Sequence, residues 1–144
     1  MEDESEIREK MVALIRDKAK QIYSDKIVDY GTNPDNYGRM EHPDGYAKKD
    51  GECGENIEMF LRIKDGKVEE ARFISDGCMF TKAACNAATE MAKGKTIQEC
   101  LRINLSSIID HLRGVPVDHA HCALDAALIF QKALRNYISN NKTT

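Results

Sequence analysis

The segment from residue 56 to residue 75 constrains the fold more than any other. In Ile57-Glu58-Met59-Phe60-Leu61-Arg62-Ile63 every odd position is apolar, and a period of two places those side chains on one face of a strand. Lys64-Asp65-Gly66-Lys67 follows. Asp-Gly suits the positive φ angles that both central residues of a tight hairpin turn require. Val68 to Ile74 then reads as the return strand, with Ala71 and Phe73 on one face. The simplest structure with this pattern is an antiparallel sheet covered on one side by amphipathic helices.

The flanking segments supply that cover. Residues 5–30 read as helix through Ile7, Met11, Leu14, Ile15, Ile22 and Ile27, with Ser5 as a cap and a break near Ser24-Asp25. Residues 31–52 hold Gly31, Pro34, Gly38, Pro43, Gly45 and Gly51, and read as one long irregular segment of the kind a compact domain keeps for a use. Thr81 to Lys93 is an Ala-rich helix stopped by Gly94. Two short helices, Thr96–Leu101 and Ser106–Leu112, each open on a hydroxyl residue. Gly114 and Pro116 interrupt the chain before a last helix over residues 118–138. Helix, loop, sheet, helices is an α+β order.

Composition narrows the function classes. A chain of 144 residues is expected to form one domain. Its 42% hydrophobic and 31% charged content is that of a globular protein. A formal charge of −3 argues against a dedicated nucleic-acid binder. No apolar run approaches the roughly 20 residues of a membrane span, and Met1 to Lys10 has no apolar signal region. Five cysteines without a C-x-x-C pair fit thiols in a reducing cytoplasm better than a disulfide framework.

Three of those cysteines share a setting. Cys53 lies in Gly51-Glu52-Cys53-Gly54-Glu55, before the first recognisable strand; Cys78 follows Asp76-Gly77 at a strand-to-helix junction; Cys122 follows His119-Ala120-His121 in the first turn of the last helix. Helix starts carry unpaired N–H groups and positive partial charge, which favour thiolate, the form that binds metal or attacks sulfur. Glu55 and His121 add a carboxylate and an imidazole. Cys85 and Cys100 sit inside helices and are expected to be small core residues. His119 reads as a polar residue at a helix start, and His42 and His111 as surface residues. By themselves these residues indicate a soft-metal or thiol site.

Six motifs in order then resemble the U-type iron–sulfur cluster assembly scaffolds, IscU and the N-terminal domain of NifU. They are Tyr23-Ser24-Asp25-Lys26-Ile27-Val28-Asp29-Tyr30 with Asn33-Pro34-Asp35-Asn36-Tyr37-Gly38; Cys53-Gly54-Glu55; Ala71-Arg72-Phe73 leading to Gly77-Cys78; Ala88-Thr89-Glu90; Lys93-Gly94-Lys95-Thr96; and His121-Cys122. The resemblance implies one scaffold domain over 1–144. Within it, 1–22 form an N-terminal helical extension, 23–138 the matching region and 139–144 a tail. It implies a small, three-stranded antiparallel sheet packed on several helices. It also implies a function: assembly of a transient [2Fe–2S] cluster from iron and from persulfide sulfur supplied by a cysteine desulfurase, then transfer to apo-proteins, with no enzymatic turnover. Carried over by position, Cys53, Cys78 and Cys122 are the thiolates, with Glu55 standing where the family has Asp. His121 is an alternate ligand or proton carrier, and Cys122 is the main persulfide acceptor ahead of Cys78.

Departures shape the rest. The family's Leu-Pro-Pro-Val-Lys segment, read by a specialised Hsp70 chaperone, survives only in part in Gly114-Val115-Pro116-Val117-Asp118. Met79 and Phe80 add bulk after the second cysteine, Tyr30 replaces a His, and Cys85 offers a further thiol seven residues after Cys78. A cluster-bridged homo-oligomer is compatible with the resemblance. An alternative is a zinc-bound sulfur acceptor in the manner of SufU, with zinc on Cys53, Glu55, Cys78 and Cys122, although the insertion typical of that branch is absent. A thiol enzyme pairing Cys78 with His121 is a third reading, supported by no protease or oxidoreductase motif.

Overall fold

The computed structural model describes residues 3–20, 23–50 and 56–141, so Ile22, Cys53 and Glu55 lie outside the described residues. In chain order the elements are α1 (Glu4–Lys20), α2 (Asp25–Thr32), β1 (Gly45–Asp50), β2 (Asn56–Lys64), β3 (Lys67–Ser75), α3 (Met79–Ala92), α4 (Ile97–Cys100), α5 (Leu105–His111), a 3-10 turn (Val117–His119) and α6 (Ala120–Asn140). The strands form one antiparallel sheet in the order β1-β2-β3.

The hairpin forms where the alternation and Asp-Gly place it. Asp65 and Gly66 have φ of 54° and 75°, which only a turn of the mirror-image type combines. Met59 faces Phe73 and Leu61 faces Ala71 across the strands. Ile57, Met59, Leu61, Val68, Ala71 and Phe73 are all fully buried. The alternation fails at its last member: the register shifts between Arg62 and Ile63, and Ile63 is left half-buried.

β1 corrects the expectation of an irregular stretch over 31–52. Gly-Tyr-Ala-Lys-Lys-Asp has little strand propensity of its own. It is a strand because β2 supplies its ladder partners, from Gly45–Leu61 to Asp50–Asn56. Gly45 also meets α6 so closely that a Cβ would lie 2.6 Å from the Ala133 carbonyl oxygen.

α3 and α6 cover the inner face of the sheet. Their contact lines are alanines (Ala83, Ala84, Ala87 and Ala88 on α3; Ala123, Ala126 and Ala133 on α6), each essentially inaccessible to solvent. Small side chains let the helix axes approach each other and the sheet.

The break near Ser24 is real: Ser24 caps α2 by accepting the Ile27 amide (3.2 Å) and donates to the Leu112 carbonyl (2.6 Å). Other boundaries shift. The Asp3 carboxylate, rather than Ser5, accepts an amide at the start of α1, from Glu6 (2.8 Å). α3 begins two residues before Thr81. Asn104, rather than Ser106, caps α5, through a reciprocal box with Ser107, because a side-chain amide oxygen three residues before a free N–H does the same work as a hydroxyl. α1 leaves Ile7, Met11 and Leu14 exposed.

Candidate metal centre

Two helices start at the same place. Cys78 is the N-cap of α3, and Cys122 is the third residue of α6. Because α3 and α6 pack side by side, their first turns bring the two sulfurs to 4.0 Å. Two thiolates bound to one tetrahedral ion at about 2.3 Å stand about 3.8 Å apart, so the observed spacing already suits a shared ion and is about twice the length of an S–S bond. Cys78 Sγ also lies 3.7 Å from Thr81 Oγ1, and Cys122 Sγ lies 3.6 Å from His121 Nε2. Cys78 is exposed, whereas Cys122 is 1% exposed.

An imidazole completes a trio with these sulfurs. Ligating atoms of Cys78, His119 and Cys122 all lie within 4.8 Å of one another, and this is the group of three or more such ligands found among the described residues. The 3-10 turn after Pro116 delivers His119, whose amide donates to the Pro116 carbonyl (2.9 Å). Its ring stacks on Phe80, with centroids 3.8 Å apart and planes at 14°. Phe80 also packs at right angles against the Tyr23 ring, with centroids 5.1 Å apart. Beneath this arrangement α2 touches the start of α3 at Gly31, where a Cβ would fall 2.3 Å from Met79 Cγ and 2.5 Å from its carbonyl oxygen.

The residues expected at the site fall into three groups. Cys78 and Cys122 are together, and His121 touches Cys122 but does not join the group with Cys78. Cys53 and Glu55 lie outside the described residues, but the described residues on either side of them are tied to the site's supports. The Asp76 carboxylate, two residues before Cys78, accepts from the Asn56 amide (2.7 Å) and side chain (3.1 Å), and those bonds hold it below its ordinary range. Lys49 near the end of β1 donates to Asp125, one turn after Cys122, at 2.8 Å. Cys85 is fully buried in the core and is not in the trio. Cys100 is also buried, its thiol pushed up to about 11, chiefly by burial.

One histidine differs from its expected role. His111 is not a surface residue: it is part-buried, hydrogen-bonded to the Tyr30 hydroxyl (3.1 Å), and held below its usual pKa by burial and by Lys26. His119 stands at a helix start as expected, the last residue of the 3-10 turn and the N-cap of α6, and from there its ring also reaches the two sulfurs.

The family described as NifU-like N-terminal domain matches residues 22–144. The chain is 36% identical over 121 residues to the iron–sulfur cluster assembly scaffold protein IscU 1 of Archaeoglobus fulgidus, covering 83% of this chain and 79% of that one. It is 32% identical over 120 residues to the scaffold protein IscU of Azotobacter vinelandii, covering 80% of this chain and 93% of that one. The fold matches the crystal structure of FiSufU from Fervidobacterium islandicum AW-1, with a TM-score of 0.68 at 22% identity over 79% of this chain and 97% of that one. No helix among the described residues is long and apolar enough to cross a membrane.

Proposed function

The chain belongs to the NifU-like N-terminal domain family, and from that membership we propose that it is a scaffold on which an iron–sulfur cluster, [2Fe–2S], is assembled and from which it is passed to apo-proteins. The observation that carries the reading is the approach of Cys78 and Cys122 to 4.0 Å at two converging helix starts. Thiolates are the natural ligands of iron bridged by sulfide. In this proposal Cys53 is the third thiolate and Glu55 the weaker fourth ligand. Three thiolates with one weaker donor hold a cargo that must later leave.

Sulfur arrives as a persulfide on a cysteine desulfurase. The Cys122 thiolate attacks the outer sulfur, the S–S bond of the donor breaks, and the desulfurase departs as a thiolate; Cys122 then carries the persulfide. His121, 3.6 Å from Cys122 Sγ, is placed to take the thiol proton beforehand. Reduction of that sulfur to sulfide draws electrons from a separate donor. An Hsp70-type chaperone would have to read Gly114–Asp118, which keeps only part of the motif such a chaperone uses.

The test is the content of iron, zinc and acid-labile sulfide in anaerobically purified protein, with its visible spectrum, before and after incubation with ferrous iron, cysteine and a desulfurase. Near-equal iron and sulfide with thiolate-to-iron charge-transfer bands support the scaffold. The Cys-His-Cys donor group is also a zinc set, which keeps one second reading: a zinc-bound sulfur acceptor. Firmly held zinc, no cluster, and a desulfurase rate raised by this protein would replace the scaffold reading with that one.

A further inference from the structure

We infer that α1 is a self-association element: two copies of this chain pair through it, antiparallel, around a two-fold axis. The inference is independent of what the metal centre holds.

α1 precedes residues 22–144, the region that matches the family, and none of its described residues belongs to the core. It packs chiefly on α2, the next element in the chain. Ile7, Met11 and Leu14 recur at steps of four and three, which a period of 3.6 residues sets on one face. That face is open, with the three residues 45%, 58% and 57% exposed. Helices in proteins draw most of their stability from packing such a face, and a contiguous exposed apolar patch marks a contact site.

Charge identifies what covers it. Residues 3–10 hold Asp3, Glu4, Glu6 and Glu9 against Arg8 and Lys10, whereas residues 11–20 hold three basic residues against one acidic residue. One half of the helix is net negative and the other is net positive by the same amount. A second α1 laid antiparallel sets each acidic half against a basic half, with the apolar stripes face to face. Laid parallel, it would set like against like. A surface complementary to itself under a two-fold rotation is what an isologous dimer requires. The same mixture of signs disfavours a membrane surface, since helices that lie on membranes have polar faces rich in Lys and Arg. The 17 residues of α1 offer a strip roughly 25 Å long and about 10 Å wide. Two such strips fall short of the ~1,200–2,000 Å² of a stable interface, so the dimer is weak and depends on concentration.

The experiment is sedimentation equilibrium of the full-length protein from micromolar to millimolar concentration. Reductant and chelator are present throughout, so that neither a disulfide nor a metal can bridge the copies. A monomer–dimer equilibrium is expected. Met11→Glu keeps a good helix former while placing a charge in the stripe, and should weaken the dimer at least about tenfold, as loss of a central anchor does. Ala13→Glu, about 200° further around the helix, should leave it unchanged. Reversing the acidic half (Glu4→Lys, Glu6→Lys, Glu9→Lys) or the basic half (Arg16→Glu, Lys18→Glu, Lys20→Glu) should each abolish self-association. An equal mixture of those two variants should dimerise again, a rescue that a folding defect would not show. A monomer over the whole range, wild-type association in Met11→Glu or in either reversed variant, equal loss in Ala13→Glu, or a mixture that stays monomeric would each overturn the inference.

Discussion

The ion pair between Lys49 and Asp125 offers a sharp test of how β1 is held to α6. The charges are 2.8 Å apart, and the side chains are 21% and 12% exposed. At an effective dielectric of about 20, such a contact is worth about 6 kcal/mol of attraction. Desolvation of two ions consumes several kcal/mol each, so the pair contributes little net stability while removal of either member strands the other. The two strandings are unequal. Lys49 has a long stem and a fifth of its surface exposed, so in Asp125→Ala its ammonium can swing toward water; the expected loss is about 2–3 kcal/mol, below the ~3–5 kcal/mol of a fully buried break. Asp125 is short and rooted in α6, so Lys49→Met leaves a carboxylate with nowhere to go, and the expected loss is about 3–4 kcal/mol, within that same range. The double variant Lys49→Met/Asp125→Leu should return to within about 1 kcal/mol of wild type, since apolar replacements of a buried pair are often neutral. Urea denaturation followed by circular dichroism at neutral pH measures all four proteins. Single variants within about 0.5 kcal/mol of wild type, the ordinary range for surface changes, or a double variant as unstable as the worse single, would refute the reasoning.

Other predictions follow from contacts described above. Gly31→Ala forces a Cβ into the Met79 carbonyl; an overpacking loss of about 1–3 kcal/mol is expected in thermal denaturation, with weaker cobalt(II) binding to the two sulfurs because α3 must shift. His111 is depressed by burial and by Lys26, so the unfolded chain takes up its proton first on acidification. Stability from neutral His111 is therefore complete above the ordinary value of about 6.5 and lost as pH falls from there toward the folded value; His111→Gln should flatten that part of the stability–pH curve. Cys100→Ala, which removes a buried thiol outside the trio, should leave reconstituted iron and sulfide unchanged, whereas Cys78→Ser and Cys122→Ser should each abolish them.

What could be read in advance was local. The hairpin, the Ser24 break, the Thr96 cap and the Gly94 stop each depend on a few adjacent residues, and the pair Cys78 and Cys122 could be picked out because each stands at a helix start. β1 could not be read, because its strand conformation is imposed by β2 and by the fit of Gly45 under α6. The reach of His119 to the sulfurs escaped for a related reason: nothing beside it in sequence announces Phe80, which arrives from a different helix. Cys85 shows the converse, since its seven-residue spacing from Cys78 suggested a shared face, whereas the helix carries it two turns down into the core.

The unequal exposure of Cys78 and Cys122 has a further consequence. With one sulfur at the surface and the other closed off at 1%, a partner approaching the pair meets Cys78 first, and Cys122 attacks a persulfide only once that partner has displaced what covers it. A sulfur donor and a cluster recipient would then need the same doorway. They could not occupy the scaffold together, so loading and unloading would run in alternation through a single binary complex at a time, and an excess of either partner would slow delivery by blocking the other.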